Sequence, residues 1–391
     1  MLEIMTAYVC PRCRIQSPTD ALTWCCPRCR GPWDLKFASA PVSLPSLASR
    51  GNSLWRYEEA LPPMPCAPEV TLGEGRTPLV PLTGPDPAPG PASVSAKLDF
   101  LMPTLSFKDR GAVMLAAHAL RLARTGRLDR VVADSSGNAG TAVAAYGARA
   151  GLDCLVYAPL GTSPKKLEQI RAHGARVVEV PGDREATARA ARAAADEPGT
   201  FYASHVYNPY FLHGTKTYVY ELWEELGGRL PDTIVVPVGN GTLLLGAALA
   251  LDELHRHGLT GTRPALVAVQ AEAVSPLAAA FHAGAEELGA PVPARPTLAE
   301  GIAIPAPPRA RQILRAVRAT GGTFLTVTED RIRAAQRDLA RRGLFVESTG
   351  VACWAAVQEA PPRPGLTVVP LCGAGAKTGL APAPHGPQSV Q

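Results

Sequence analysis

The chain has 391 residues, 46% hydrophobic and 19% charged, with a formal net charge of +5. That length can bury a large core and predicts two main domains plus an appendage, while so small a charge excess calls for no nucleic-acid partner. No run of about 18 apolar residues offers a membrane-spanning helix, and the first residues lack the pattern of a secretion signal, so a cytoplasmic location is expected.

In chain order, the first feature is a pair of Cys-x-x-Cys knuckles, Cys10-Pro11-Arg12-Cys13 and Cys26-Pro27-Arg28-Cys29. Nine cysteines, an odd number, argue against a disulfide framework. Two knuckles of equal spacing let four thiolates converge tetrahedrally on Zn²⁺, and metal binding would supply the folding energy that so short a segment lacks. Free surface thiols or a redox Cys-x-x-Cys are the alternatives, and Cys25 is read as a bystander. Pro32–Ala48 looks like a connector, Leu54-Trp55-Arg56-Tyr57 begins the body, and Pro85–Pro91 is expected to be an exposed loop.

Next comes Ser106-Phe107-Lys108-Asp109-Arg110-Gly111, which opens an apolar-periodic stretch from Gly111 to Leu122 with Gly126 as its stop. A lysine at a helix start is electrostatically misplaced. It is either a solvated surface residue or an amine nucleophile with a depressed pKa. The run Val131-Val132-Ala133 then leads through Asp134-Ser135-Ser136-Gly137-Asn138-Ala139-Gly140 into an Ala-rich helix, Thr141–Ala150. Such a strand–loop–helix turn offers N–H groups and hydroxyls to a carboxylate.

Strands are predicted at Cys154–Tyr157 and Val177–Val180, with helices at Pro164–His173 and Glu185–Ala195. Ile234–Val238 is a further strand, followed by Gly239-Asn240-Gly241-Thr242 and the helix Leu243–His257. Its glycines allow close backbone approach to a phosphate, although Gly-rich turns of this kind also serve as plain scaffolding. Ala265–Val269 and Thr367–Leu371 are the last predicted strands, and the Pro-rich tail after Leu380 reads as disordered. The alternation predicts an α/β fold with parallel sheets covered on both faces. Both candidate loops then fall at carboxyl ends of strands, where ligands bind in such sheets.

Taken together, these segments resemble the threonine synthase branch of the fold-type II enzymes that use pyridoxal 5′-phosphate. Leu72-Gly73-Glu74-Gly75-Arg76-Thr77-Pro78-Leu79, Asn208-Pro209-Tyr210 and Gln270-Ala271-Glu272 add to the likeness, which runs from about Leu54 to Gly379. The resemblance implies two α/β domains with the cofactor between them and Lys108 as Schiff-base lysine and catalytic base. It implies that Ser135, Ser136, Gly137 and Ala139 lie at the substrate carboxylate and Asn138 at the ring hydroxyl, while Gly239, Asn240, Gly241 and Thr242 cradle the phosphate. Cys372, in Leu371-Cys372-Gly373-Ala374-Gly375, stands where the family faces the ring nitrogen with a neutral group; a small buried cysteine is the alternative. Glu347-Ser348-Thr349 resembles a Glu-Pro-Ser segment beside the ring, without its proline.

The expected domains are a zinc ribbon at 1–35, a connector at 36–53, and a larger α/β domain at 54–97 and 222–380 holding the phosphate loop. A smaller α/β domain at 98–221 carries Lys108 and the carboxylate loop, and 381–391 forms the tail. The expected ligands of zinc are Cys10, Cys13, Cys26 and Cys29. The expected activity is elimination or elimination–replacement at Cβ or Cγ of a small amino acid, O-phosphohomoserine to threonine among the candidates, by a homodimer. A serine/threonine dehydratase or β-replacement enzyme is the second reading. A nucleic-acid-binding ribbon on an inactive scaffold is the third.

Two departures bear on substrate. Threonine synthases carry Asn-Thr where this chain has Asn138-Ala139, and an arginine where it has Phe211 after Asn208-Pro209-Tyr210. Both family residues hold a substrate phosphate, and each lost charge-assisted bond costs about 1.5–3 kcal/mol. His205, His213 and Lys216 are the nearby candidates to compensate, with His205 read as structural.

Overall fold

The structure is a computed structural model describing residues 6–82, 92–289, 295–360 and 364–380. The expected loop at 85–91 and the tail after Leu380 lie outside the described residues. The chain divides into two compact units: Met1–Arg76, Met102–Leu230 and Leu245–Thr262 form one, and Thr77–Leu101, Pro231–Leu244 and Arg263–Gln391 the other. No helix among the described residues is long and apolar enough to cross a membrane.

The first unit begins with a small antiparallel sheet, β1 (Ala7–Val9) between β2 (Gln16–Pro18) and β3 (Asp34–Lys36). The ribbon thus draws its third strand from the expected connector, ending at Lys36. Its body is a four-stranded parallel sheet in the order β8 (Arg176–Val180), β7 (Cys154–Pro159), β6 (Arg130–Ala133), β9 (Thr200–Tyr202). Helices α1 (Ala67–Val70), α2 (Lys108–Arg124), α3 (Asn138–Arg149), α4 (Pro164–Ala172), α5 (Arg184–Ala195), α6 (Tyr210–Thr215) and α7 (Thr217–Glu225) accompany it.

The second unit holds a six-stranded sheet in the order β12 (Thr323–Val327), β11 (Ala265–Ala271), β10 (Thr233–Pro237), β13 (Gly365–Pro370), β5 (Ala92–Lys97), β4 (Leu79–Pro81). Only the β4–β5 pair is antiparallel. The central strands β10 and β11 are buried along their whole length, as their continuous apolar runs require of a sheet covered on both faces. Helices α9 (Pro276–His282), α10 (Ala310–Ala319), α11 (Glu329–Arg341) and α12 (Ser348–Glu359) belong here, while α8 (Thr242–Arg256) starts in this unit and continues into the first.

The unit boundaries differ from those expected, because long-range polar contacts recruit segments that local periodicity cannot assign. Leu54 donates its N–H to the Glu74 carbonyl at 2.8 Å, and Arg56 and Tyr57 both donate to Glu224, at 2.8 and 2.5 Å. Lys216 donates to both Glu253 carboxylate oxygens at 2.9 and 2.8 Å. Residues 54–76, 222–230 and 245–262 therefore join the unit that carries Lys108.

Helices α2 and α6 cross on two glycines. A Cβ on Gly111 would collide with the Phe211 ring, and one on Gly214 would lie 2.6 Å from the Arg110 carbonyl carbon. On its other side α2 meets the ribbon. His118 is fully buried, stacked on Tyr210 at 4.2 Å between ring centroids and 3.2 Å from the Tyr8 hydroxyl. The Arg121 guanidinium donates to Nδ1 at 3.3 Å, which leaves the proton on Nε2, 3.1 Å from the Thr19 carbonyl. Burial first, then the charge of Arg121, pushes the His118 pKa down from 6.5 to about 3.

Two outcomes are expected. A depressed histidine pKa means that the unfolded chain binds the extra proton, so His118 leaves stability intact above about pH 6.5 and erodes it as the pH falls. The loss approaches ~1.4 kcal/mol per pH unit. Denaturant unfolding near pH 7 and near pH 4.5 should show a smaller acid-induced drop in His118→Phe than in the native chain, by roughly 2–3 kcal/mol. Separately, Gly111→Ala should destabilise by about 1–3 kcal/mol through overpacking, and adding Phe211→Leu should recover part of that in the double variant.

Candidate active site and metal centre

In the first unit, Lys108 is the first residue of α2 and is half-buried. The turn before it places Leu105 at φ 63°, a left-handed conformation unusual for a branched side chain. Asp109 holds that turn: one carboxylate oxygen accepts the Thr104 N–H at 2.6 Å, and the other accepts the Thr104 hydroxyl. Arg110, fully buried, makes a bidentate pair with buried Glu221 at 2.5 and 2.9 Å and so fixes α2 on α7. The Lys108 ammonium lies 4.5 Å from the Phe107 ring centroid and 5.7 Å from that of Phe211. The Ser106 hydroxyl is buried without a protein partner. His205 is buried edge-on to Phe211, and burial followed by the charge of Lys108 holds its pKa well below the usual range, so it stays neutral.

The Ser135–Gly140 loop leaves the carboxyl end of β6 and opens α3 at Asn138. Its N-cap is Gly137, whose missing side chain caps none of the first-turn amides. Ser135 Oγ accepts the Gly137 N–H at 3.3 Å. Gly140 is required because a Cβ there would collide with the Ser135 carbonyl. Ser136 and Asn138 are half-buried, and Ala139 is buried with no hydroxyl to offer. Uncapped amides, two hydroxyls and the positive end of a helix suit a carboxylate.

The residues expected to compensate for the two departures do not supply a spare cation. Lys216 is wholly buried in its pair with Glu253 and also donates to the Ala60 carbonyl. His213 is buried, and burial followed by the nearby Lys216 charge lowers its pKa far below the usual value. Phe211 is fully buried on Gly111. Asn208 caps α6 by accepting the Tyr210 N–H at 3.1 Å.

In the second unit, Gly239–Thr242 follows β10 and Thr242 begins α8. Gly241 has φ +72°, open to glycine at little cost, and a Cβ on Gly239 would lie 2.9 Å from Ile302 Cα. Gln270 ties this turn to β11: its side-chain amide donates to the Val238 carbonyl at 3.2 Å while its oxygen accepts the Ala278 N–H at 2.9 Å. The bare backbone cradle at the head of a helix suits a phosphate group. Cys372 is buried just past β13, its thiol 3.8 Å from the Pro370 carbonyl. Glu347 lies against Gly373, where a Cβ would collide with its carboxylate, and its N–H donates to the Gly373 carbonyl at 2.9 Å. Thr349 Oγ1 accepts the Gly301 N–H at 3.0 Å, which ties the Glu347-Ser348-Thr349 segment to residues near the glycine loop.

The candidate metal-ligand set is local to the ribbon. The thiols of Cys10, Cys13, Cys26 and Cys29 all lie within 4.8 Å of one another, with Cys10 and Cys29 at 3.6 Å. A tetrahedral zinc with bonds of about 2.3 Å needs edges of about 3.8 Å, so the cluster fits that ion. Each knuckle is closed alike: Arg14 N–H donates to the Cys10 carbonyl at 2.9 Å and Arg30 N–H to that of Cys26 at 2.8 Å, with both arginines at positive φ. Cys25 is outside the cluster, buried with Trp24, Val132 and Tyr202.

Sequence reasoning left Asp109, Ser106 and the Arg110–Glu221 pair without roles. Ser106, Asp109 and Arg110 all stand inside the hexapeptide around Lys108, but the burial of the Ser106 hydroxyl and the Glu221 partner of Arg110 emerge only on folding.

Residues 70–373 match the family described as pyridoxal-phosphate dependent enzyme. The chain is similar to the threonine synthase of Methanosarcina acetivorans, 32% identical over 354 residues that cover 90% of this chain and 85% of that protein. It is 31% identical to the threonine synthase of Methanocaldococcus jannaschii, over 90% of this chain and 86% of the relative. Among solved structures, the threonine deaminase of T.th. superposes with a TM-score of 0.63 at 29% identity, covering 77% of this chain and 92% of that one. Motif order, the α/β fold and these likenesses agree: the chain belongs to the pyridoxal-phosphate dependent enzymes, and within them to the threonine synthase-like lyases.

Proposed function

We propose that this chain eliminates a leaving group from Cβ or Cγ of a small amino acid, with or without replacement. The carrying observation is Lys108, held at the start of α2 by the Asp109 clamp and the Arg110–Glu221 pair. When bound, pyridoxal phosphate supplies an electron sink for charge developing at the substrate Cα. Lys108 would hold that cofactor, and its amine would move the substrate Cα proton. Ser135, Ser136 and the first amides of α3 orient the substrate carboxylate, with Gly137 and Ala139 keeping that surface small. Asn138 would meet the ring hydroxyl, Gly239, Asn240, Gly241 and Thr242 would hold the phosphate, and Cys372 would stand uncharged beside the ring nitrogen. Assembly as a homodimer and a cytoplasmic location belong to the same reading.

O-Phosphohomoserine to threonine is the first reading of the substrate, supported by the relatives' activity. A second reading, a dehydratase or β-replacement enzyme with an uncharged leaving group, is favoured by a specific feature. Phe211 and Ala139 replace a guanidinium and a hydroxyl, while Lys216, His205 and His213 are committed as an ion pair and as neutral imidazoles. A dianion gains most from charged donors that strengthen as charge develops on the departing group, and these positions offer no spare cation.

One experiment addresses both. The purified protein should show the visible absorption of lysine-bound cofactor, and Lys108→Ala should lose both that band and turnover; an unchanged spectrum would remove Lys108 from the role. A panel of O-phosphohomoserine, serine, threonine, O-phosphoserine and O-acetylserine, with and without added nucleophiles, then separates the readings. Efficient threonine formation from the first compound supports threonine synthase proper. Poor use of it, improved by Ala139→Thr with Phe211→Arg, supports the second reading.

The same proposal includes one structural zinc on Cys10, Cys13, Cys26 and Cys29, supported by the cluster's fit to a tetrahedron. Four thiolates close the coordination and leave no position for chemistry. Elemental analysis should find about one zinc per chain. Cys26→Ser should lower that content while Cys25→Ser leaves it unchanged, and the reverse pattern would exchange the two thiols' roles.

A further inference from the structure

The ribbon grips one segment of the body at three points. Between β9, which ends at Tyr202, and α6, which begins at Tyr210, residues 203–209 belong to neither strand nor helix. The Trp33 N–H donates to the Tyr207 carbonyl at 3.2 Å. The Trp24 ring meets that of Tyr207 edge-on at 5.0 Å, and the Tyr8 ring meets that of Tyr210 edge-on at 6.3 Å. Tyr8 and Trp33 brace each other, stacked at 5.8 Å with an interplanar angle of 13°. The Trp33 indole N–H donates to the Thr23 carbonyl at 2.8 Å, so that ring is fixed within the ribbon itself.

Tyr210 also stacks on His118 of α2, and His118 meets Tyr8 edge-on at 6.5 Å. Three rings, from the ribbon, α2 and α6, thus close on one another. The next residue is Phe211, which lies against Gly111, with the Lys108 ammonium 5.7 Å from its ring centroid. Tyr8, Trp33, Tyr210 and Phe211 belong to one buried apolar cluster. A path of direct contacts therefore leads from the ribbon to the wall beside Lys108. It runs from Tyr8 to Tyr210, along the chain to Phe211, and across to the lysine.

We propose that Tyr8 and Trp33 are positioning residues through which the ribbon sets Phe211 against Lys108. A plain cover for α2 would need only apolar burial. The ribbon's contacts fall instead on the Tyr207 carbonyl and the Tyr210 ring, either side of Asn208 and Pro209, where no regular element dictates the path of the chain. Helix α6, six residues long, is too short to hold its own shape. Its angle depends on what packs against it. Gly111 brings Phe211 so close that a shift of α6 moves the ring relative to Lys108. The inference rests on the proposed role of Lys108 in holding the cofactor.

The test uses the full-length protein with its cofactor, comparing Tyr8→Leu, Tyr8→Phe and Trp33→Phe with the native chain. Hydrogen–deuterium exchange, which reads local opening, should rise in peptides covering 205–216 in Tyr8→Leu, without a rise through β6, β7 and β8. The visible circular dichroism of lysine-bound cofactor should weaken in the same variant at unchanged cofactor content, because Lys108 loses its fixed ring neighbour. On whichever amino acid is turned over, kcat should fall about ten- to a hundredfold, the scale of a misplaced reacting group, and KM should move less. Tyr8→Phe keeps both ring contacts and should return all three readouts close to native. Unchanged exchange at 205–216 in Tyr8→Leu overturns the proposal. So does a rise that spreads over the parallel sheet, or a local rise with native dichroism. If Tyr8→Leu does not fold, Trp33→Phe carries the test: it loses the indole bond to Thr23 and part of the stack on Tyr8, and a smaller rise over the same peptides is expected, its absence overturning the proposal. A native chain without a visible band would count against the proposed function, and exchange alone would then decide whether the ribbon holds 205–216.

Discussion

A cation at the amino end of a helix works against the helix dipole, and the first unit is organised around holding Lys108 there. Left to itself, a lysine in this place would fray the first turn or swing into solvent. Three constraints oppose that. Asp109, an anion in the same turn, complements the dipole and clamps Thr104. The Arg110–Glu221 pair anchors the next residue to α7. Gly111 then lets α6 come so close that Phe211 covers the turn. Removing one partner of a buried ion pair leaves an uncompensated charge and costs about 3–5 kcal/mol, so the arrangement is stiff. That stiffness suits the role proposed for the Lys108 amine, to hold a cofactor and move a proton at a fixed atom.

The same economy of backbone recurs at the two loops. Neither Ser135–Gly140 nor Gly239–Thr242 is built from charged side chains; each presents amides at the start of a helix, and each depends on glycines that a Cβ would close. Parallel strands direct such loops to their carboxyl ends, and helices following at once give every loop the same positive terminus. A carboxylate and a phosphate can thus be bound by similar devices in separate units, with two serines in one loop and two glycines in the other.

Most of this was legible in the chain because the relevant signals are local. The equal spacing of the two Cys-x-x-Cys knuckles favoured Cys26 over Cys25, and Cys26 stands in the cluster of four thiols; the apolar runs of β6 and β10 marked the places of both loops. What escaped reading depends on partners distant in sequence. β12 has a mixed burial pattern and only a short apolar stretch between its threonines, so neither alternation nor a continuous apolar run marked it. β5, with its interspersed serines, gave no stronger signal. The unit boundaries turned on Arg56 with Glu224 and Lys216 with Glu253, pairings that no window of sequence contains. His118 was silent for the same reason: a histidine in an apolar helix shows nothing of the burial that, with the Arg121 charge, holds it neutral.

The pattern of commitments among cations bears directly on substrate. In the Lys108 unit two buried positive side chains are already matched: Arg110 with Glu221, Lys216 with Glu253. A buried ion pair released to bind a ligand would leave its carboxylate unpaired in a low-dielectric interior, a cost that exceeds what one phosphate contact returns. Substrate recognition by these groups would therefore require dismantling the scaffold that holds Lys108. An apolar wall of Phe107 and Phe211 beside that lysine avoids the conflict: it flanks the amine without adding a second cation to repel it. The replacement of arginine by phenylalanine at position 211 is thus coupled to the packing of α6 on Gly111. Restoring a guanidinium there changes the fit of two helices as well as the chemistry of the site.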